Sequence, residues 1–400
     1  MRDSTFIKRV LLKNYKSIAA CDVQLQPLTF LVGRNGSGKS NFLDALRFVS
    51  DALNYSLEHA IRDRGGINNV CRRSRGHPNY FGISLEFTLP NGDTGHYGFR
   101  IRTLASGRYE VQKEQCKLHP DLYYQIDKGT VKRTSAKVAP AAAPDRLYLV
   151  NASGLPEFRP VYDALSQMGF YNLNPDKIRD IQLCDNTDML MQDGSNLTNV
   201  FSKLPSSVKQ DIEEYLTIIV PGLRAVEIEK FGDKEMLVFR QDVSGNKHPW
   251  RFHANNMSDG TLRVLGILVA LSQNNRDMHK HVSLIGIENP EIAMYPAMVG
   301  ALFDEFQNAA YNTQIVVITH SPDLLDEKCI DLDTILVAAL QDGNTVIAPV
   351  DNVCRSVVQD KMFTIGDLLR RDQLEPDPEF VPSAEKAKQL GLFNILGEKK

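Results

Sequence analysis

Eight consecutive residues near the start of the sequence could bind the phosphates of a nucleotide. Gly33–Ser40 reads GRNGSGKS and matches G-x-x-x-x-G-K-[ST] at every fixed position. The glycines allow the loop to wrap with its N–H groups towards phosphate oxygens. Lys39 would reach the β- and γ-phosphates, and the Ser40 hydroxyl would ligate Mg²⁺. The residues that we predict to bind nucleotide here are Gly33, Arg34, Asn35, Gly36, Ser37, Gly38, Lys39, Ser40 and Asn41.

The segments on either side of this loop have the patterns that the motif requires. Leu28–Val32 is a short apolar run rich in β-forming residues, which predicts a buried strand. Asn41–Val49 spaces its apolar residues along one helical face. A strand, a glycine loop and a helix in this order favour a nucleoside-triphosphate site over a chance glycine-rich turn.

More than half of the chain length later, Ser258-Asp259-Gly260 precedes an apolar segment that we interpret as an amphipathic helix. Ser258 is a candidate N-cap, and free backbone N–H groups would lie beside it. A capped core helix with no further role is the alternative for this triplet taken alone.

Two apolar strands near the end of the sequence lead into residues that could serve the same nucleotide. Val282–Ile287 leads into Glu288, a carboxylate suited to Mg²⁺ at the carboxyl edge of an α/β sheet. Ile315–Ile318 precedes His320, whose imidazole could reach a γ-phosphate from the next strand. A lone histidine is more often structural. The order of the four motifs nevertheless favours one common site.

Taken together, these motifs resemble the ABC-type ATPase heads of the RecF, SMC and OLD-type families. Val10–Ile18 (VLLKNYKSI) and Leu28–Leu46 match that group closely, and Asp193–Leu197 and Phe363–Leu369 resemble its recurrent features. The likeness is greatest to standalone, defence-associated bacterial ATPases of the RecF/OLD-like type. It implies an α/β ABC-type P-loop head with an antiparallel side sheet, a mostly helical insertion and no long coiled coil.

The resemblance also implies that ATP and Mg²⁺ are bound in a homodimer. Two heads would sandwich two ATP molecules, each held by Gly33–Ser40 of one chain and Ser258–Gly260 of the other. Ser40 and Glu288 would be the metal ligands. The customary Gln ligand to Mg²⁺ is not identifiable in the sequence, which leaves Asn68 or Asn69 as guesses.

The position after the metal carboxylate differs from the usual pattern. A glutamate normally stands there and polarises the attacking water, whereas this chain has Asn289. An amide cannot accept the proton, and loss of a general base typically costs roughly 10²–10⁴ in rate. We therefore expect slow ATP hydrolysis and a long-lived ATP-bound dimer. The candidate catalytic residues are Lys39, Glu288, Asn289, Glu291 and His320.

We predict four segments: residues 1–138 as ATPase lobe I, 145–250 as the insertion, 251–371 as lobe II and 372–400 as a tail. The Ala- and Pro-rich stretch Ala139–Pro144 separates the first two. Beyond it, Arg146–Val150 is interpreted as a strand, whereas Arg159–Gly169 and Ser206–Ile219 are interpreted as helices.

Composition and charge limit the cellular compartments and the partners that we expect for the protein. The 400 residues carry a formal net charge of −3, and no apolar run approaches the ~18 residues of a membrane span. Six widely spaced cysteines suggest reduced thiols, so we expect a cytoplasmic protein without membrane contact. The basic stretch Arg62–Gly76 either touches DNA or nucleotide phosphate, or is a solvated loop. Its arginines are Arg62, Arg64, Arg72, Arg73 and Arg75.

The leading hypothesis is a dimeric ATPase that acts as a switch for a partner effector in anti-phage defence. The effector would be a nuclease or toxin encoded by a neighbouring gene. One alternative is a RecF-like ATPase that binds duplex DNA in repair. The other is a nucleotide-binding scaffold without turnover.

Overall fold

The computed structural model describes residues 6–74, 78–184, 187–273, 282–327, 330–382 and 390–393. Helices and strands are mixed along these ranges, which confirms the predicted α/β class. The strands are β1 (Ile7–Tyr15), β2 (Ile18–Gln24), β3 (Leu28–Val32), β4 (Tyr80–Thr88), β5 (Thr94–Thr103), β6 (Tyr109–Leu118), β7 (Leu122–Asp127), β8 (Thr130–Thr134), β9 (Gly169–Tyr171), β10 (Gln182–Leu183), β11 (Leu223–Phe231), β12 (Lys234–Gln241), β13 (Trp250–His253), β14 (Leu284–Glu288), β15 (Gln314–Ile318), β16 (Ile335–Gln341) and β17 (Asn344–Pro349). The helices are α1 (Lys39–Asn54), α2 (Leu57–Arg62), α3 (Ile67–Val70), α4 (Tyr148–Ala152), α5 (Arg159–Ser166), α6 (Pro175–Arg179), α7 (Leu197–Lys203), α8 (Ser206–Ile219), α9 (Asp259–Ser272), α10 (Val299–Ala310), α11 (Pro322–Leu325), α12 (Asn352–Gln359) and α13 (Ile365–Arg370).

The chain forms two compact units, one made of Met1–Met168 with Cys329–Lys400 and the other of Gly169–Lys328. In the first unit, ten strands hydrogen-bond in the order β8-β7-β6-β5-β4-β1-β2-β17-β16-β3. The series from β8 to β2 is antiparallel throughout and forms the expected side sheet. Strand β3, which leads into the phosphate loop, is fully buried and runs parallel to β16.

Helix α1 packs one apolar face against this unit's core. Phe42, Leu46 and Val49 on that face are fully buried. Phe48, also fully buried, packs edge-on against Tyr15 of β1 and Phe81 of β4, with ring centroids 6.1 and 5.3 Å apart. Full burial of an apolar side chain of this size contributes about 1.5–3 kcal/mol. The helix that carries the end of the phosphate loop is therefore held firmly on the sheet.

The strand expected at Arg146–Val150 is wrong, because this segment begins helix α4. The helix has no side-chain cap of its own. Instead the buried carboxylate of Glu114, on β6, accepts hydrogen bonds from the N–H groups of Tyr148 and Leu149. The cap comes from more than thirty residues upstream, so the local sequence does not reveal the helix.

In the second unit, β9, β14 and β15 form a parallel group with β14 in the middle. A separate antiparallel sheet pairs β12 with β11 on one edge and with β10 and β13 on the other. Helix α9 was expected to be amphipathic, but ten of its fourteen residues are buried, which makes it the central helix of the unit.

The longest helix among the described residues is α1, with sixteen residues, so this part of the chain contains no long coiled coil. None of the helices in the described ranges has the length and apolar character needed to cross a membrane.

Candidate functional site

The phosphate loop lies between β3 and α1, as the sequence predicted. Its three glycines all have positive φ angles, 138° at Gly33, 78° at Gly36 and 96° at Gly38. Space also restricts two of them. A Cβ at Gly33 would lie 2.1 Å from the carbonyl oxygen of Ala338, and one at Gly38 would lie 2.0 Å from Oγ1 of Thr345. Only glycine fits both the conformation and the close approach at these positions.

Lys39 is the first residue of α1 and is almost completely buried. Its Nζ donates to the carbonyl oxygens of Gly33 and Arg34, both at 2.9 Å. The ammonium group is thus enclosed by the loop itself. Ser37 contributes a second polar group, because its Oγ is buried and has no hydrogen-bond partner among the described residues. Ser40, by contrast, is exposed.

Beneath the loop, three side chains form a network that sequence reasoning missed. Asn41 Nδ2 donates to Ser17 Oγ at 2.7 Å, and the hydroxyls of Ser17 and Thr345 lie 2.6 Å apart. Ser17 and Thr345 also flank the space that a Cβ on Gly38 would need. Ser17 and Thr345 are separated by 328 positions in the sequence, so no local pattern could have paired them.

A second brace holds α1 through Asp44. This carboxylate accepts a hydrogen bond from Tyr15 at 2.7 Å and is ion-paired with Lys16 and with Arg64. Burial by itself would raise the pKa of Asp44, but Arg64 and Lys16 bring it below its usual value. Residues 12–17 (LKNYKS) therefore position helix α1, which follows the phosphate loop, through Tyr15, Lys16 and Ser17.

The structure corrects the interpretation of the basic stretch 62–76. The side chain of Arg64 is only 5% exposed and also pairs with Asp51, so it is neither a solvated residue nor a DNA contact. Arg72 is bound to Asn344, and Arg73 to Asn69. Asn69, one of the guessed metal ligands, also donates to Gly65 O at 2.8 Å. Arg75 lies outside the described residues.

In the second unit, the strand-end motifs lie together. Glu288 ends β14 and is paired in register with Ile318 at the end of β15. The N–H of Asn289 donates to Ile318 O at 2.7 Å, which continues the pairing by one residue. Asn289 has a φ of 48°, a left-handed conformation that asparagine tolerates better than most residues. Its Oδ1 is buried and has no hydrogen-bond partner among the described residues.

Glu291 contacts the histidine segment directly. Its Oε1 accepts a hydrogen bond from the backbone N–H of His320 at 2.8 Å. The other oxygen, Oε2, is buried and lacks a hydrogen-bond partner among the described residues. Burial lowers the pKa of the nearby Arg263 guanidinium, while Asp259 and Glu291 oppose that shift. Glu291 thus joins the turn after β14 to the turn after β15.

The triplet Ser258–Gly260 starts α9 as predicted. Ser258 Oγ caps the helix by accepting the Thr261 N–H at 3.2 Å, and the residue is exposed. A Cβ on Gly260 would lie 2.4 Å from Ala293 O, so this position requires glycine for space rather than for φ. Asp259 is ion-paired with Arg179 at 2.6 Å. The helix start and the segment after Glu291 are therefore in contact.

The residues of the phosphate loop fit the phosphate chain of a nucleotide. Three left-handed glycines, a buried lysine and the positive end of a sixteen-residue helix provide what a phosphate chain requires. In the first unit the Ser40 hydroxyl, and in the second unit the partly exposed Glu288 carboxylate, are oxygen donors of the kind that Mg²⁺ prefers. Their roles as ligands stay predictions.

Several known proteins resemble this chain over part of their length. The chain is 20% identical to the Old nuclease of Escherichia phage P2 over 344 residues, which covers 80% of this chain and 57% of the nuclease. It is 33% identical to the DNA replication and repair protein RecF of Vibrio vulnificus over 87 residues, 22% of this chain and 23% of RecF. The chain thus spans less than two thirds of either relative. A solved structure of the SMC head bound to the C-winged helix domain of ScpA matches 88% of this chain and 99% of its own, with a TM-score of 0.54 and 16% identity.

The fold resembles that of an SMC head and the sequence resembles OLD and RecF proteins, so the chain is an ABC/SMC/OLD/RecF-like ATPase head. Within that class, residues 28–326 match the family described as "AAA domain, putative AbiEii toxin, Type IV TA system". The chain belongs to this family.

Proposed function

We propose that this protein is a slow ATPase whose ATP-bound form is a homodimer that controls an effector protein. The phosphate loop supports the nucleotide-binding part of the proposal, because its glycine conformations and the enclosed Lys39 suit the binding of phosphate. Lys39 would hold the β- and γ-phosphates, and Ser40 and Glu288 would hold Mg²⁺. The metal would neutralise charge that develops on the phosphate oxygens.

Slow turnover is inferred from Asn289. It stands directly after the predicted metal ligand, and its amide cannot accept a proton from water. A slow step would keep ATP bound for longer and extend the lifetime of the dimer. A long-lived ATP-bound dimer suits a molecular switch better than a molecular motor.

The effector and the defence role are supported by the relatives. The family's description includes a putative toxin and a toxin–antitoxin system, and one relative is a phage nuclease. The solved SMC head is bound to a domain of another protein. We propose that this head likewise acts on a separate nuclease or toxin.

The experiment is steady-state phosphate release per chain at saturating ATP and Mg²⁺. We expect low turnover in wild type, none in Lys39→Ala, and a rise of about tenfold or more in Asn289→Glu if a missing base limits the rate. Asn289→Gln is the matched control. Its side chain is as long as that of glutamate and occupies the same left-handed position, but it has no carboxylate. Fast wild-type turnover with no gain from Asn289→Glu would contradict the role given to Asn289.

A DNA-binding role is the second candidate, and the RecF likeness favours it. The basic stretch gives it less support than its composition suggested, because Arg64 is buried and Arg72 is bound to Asn344. Binding to duplex DNA at low salt, weakening steeply as salt rises, would support this candidate.

A further inference from the structure

A short segment from the end of the sequence lies on the outer face of the antiparallel sheet. Lys13 on β1, Gly82 on β4 and Arg100 on β5 are direct neighbours across the strands, so their side chains share one face. Their sequence neighbours on the opposite face, Leu12 and Ile83, are buried core residues. The outer face therefore presents a glycine between two cations.

Residues 390–393 occupy this place. A Cβ added to Gly82 would lie 2.3 Å from Leu392 Cδ1, so the leucine fills the space that the glycine leaves. Leu392 is only 1% exposed. Lys13 Nζ donates to Leu390 O at 3.3 Å, and the Arg100 guanidinium lies over the Phe393 ring, 5.6 Å from its centroid. The sheet thus contacts the side chains of Leu392 and Phe393 and the backbone carbonyl of Leu390.

Two polar side chains near Leu392, those of His96 and Ser84, are also buried. His96 is 3% exposed, and its Nε2 lies 2.6 Å from Ser84 Oγ. Burial lowers the pKa of His96 to about 4, and the nearby Leu392 backbone opposes the shift. His96 is therefore neutral at pH 7 and adds no charge to this face of the sheet.

We propose that this face is a peptide-binding socket that recognises a leucine followed by an aromatic residue, and that residues 390–393 are its intramolecular ligand. Within the described residues 390–393, the segment lies on the face of the sheet and joins none of its strands, so contacts such as those above hold it there. A partner protein that presents the same two side chains would bind here by displacing Leu392 and Phe393.

The test uses a fluorescent peptide with the sequence of residues 388–396 and the full-length protein. In wild type the tethered segment competes at a high effective concentration, so the peptide should bind weakly. Leu392→Ala frees the socket and should bind the peptide at least about tenfold more tightly by fluorescence anisotropy. Phe393→Ala is a second release variant, since Phe393 is partly exposed and its loss disturbs less packing.

Arg100→Gln added to either release variant should weaken peptide binding, whereas Arg133→Gln, at an exposed position of β8, is the matched control and should not. A peptide with alanine in place of its Leu392 equivalent should fail to bind. Release variants that bind no better than wild type, or that bind equally well with Arg100→Gln, would overturn the proposal. Loss of folding in both release variants would also overturn it, because the segment would then be an inseparable part of the core.

Discussion

Glu291 illustrates how one contact changes the role of a residue. The sequence predicts it as one of the candidate catalytic residues. In the structure, one of its oxygens is engaged by the His320 N–H at 2.8 Å. We therefore propose that Glu291 positions His320 and does not remove a proton from water.

Substitutions at Glu291 separate these two roles. Glu291→Gln keeps an oxygen that can accept the His320 N–H, so ATP turnover should stay within a few-fold of wild type. Glu291→Ala removes the acceptor and should lower turnover about tenfold, equivalent to roughly 1.4 kcal/mol. The measurement is phosphate release across a range of ATP concentrations, with kcat and KM separated. Equal, severe losses in kcat for both variants would instead identify Glu291 as the base.

Residue types and spacing were enough to locate the phosphate loop, the helix cap at Ser258 and the two strand ends. Residue types and spacing could not show which contacts hold these features in place. The contacts of Ser17 with Thr345 and of Asp44 with Arg64 join residues far apart in the sequence. Likewise, Gly260 is required by the carbonyl of Ala293, which a motif does not specify.

At the scale of elements, hydrophobic periodicity predicted the strands and helices that flank the motifs, and helix α8 has the predicted bounds. Helix α4 is the clear failure. Its start depends on Glu114, a fully buried carboxylate on β6 that also accepts hydrogen bonds from Tyr97 and Tyr124. Long-range capping of this kind has no signature in the helix's own residues.

The burial of Glu114 predicts a pH dependence of stability. Desolvation raises its pKa from an ordinary 4.5 to about 7, although four hydrogen bonds oppose the shift. Between these values the unfolded chain has lost the proton that the folded chain still holds, so stability falls as pH rises. The contribution is on the order of 3 kcal/mol across that range.

The urea midpoint measured at several pH values tests this effect. Glu114→Gln should remove this part of the decline between pH 4.5 and 7, even though the variant is less stable overall for lack of one acceptor. Glu157→Gln, a change at an exposed carboxylate, should follow the wild-type curve. Parallel curves for wild type and Glu114→Gln would mean that Glu114 is ionised in the folded protein.

For the molecule as a whole, the ordered motifs were sufficient to predict the family. They matched the ABC-type heads, and the structure and the family match agree. The division into Met1–Met168 with Cys329–Lys400 and Gly169–Lys328 follows long-range pairing, such as that of β16 with β3, which the sequence alone does not order. Dimerisation and control of an effector remain proposals at this scale.

The most direct test of the proposed switch is sedimentation velocity with Mg²⁺ and a non-hydrolysable ATP analogue. We predict that wild type shifts from monomer to dimer and that Ser258→Arg binds the analogue but stays monomeric. Ser258 is exposed, so the arginine adds its bulk outside the core, at the surface proposed to meet the second chain. Ser258→Ala is the matched control. It loses the same helix cap, worth about 1 kcal/mol, without added bulk, and should dimerise. A wild-type protein that remains monomeric with saturating analogue, or a Ser258→Arg variant that dimerises normally, would contradict the account.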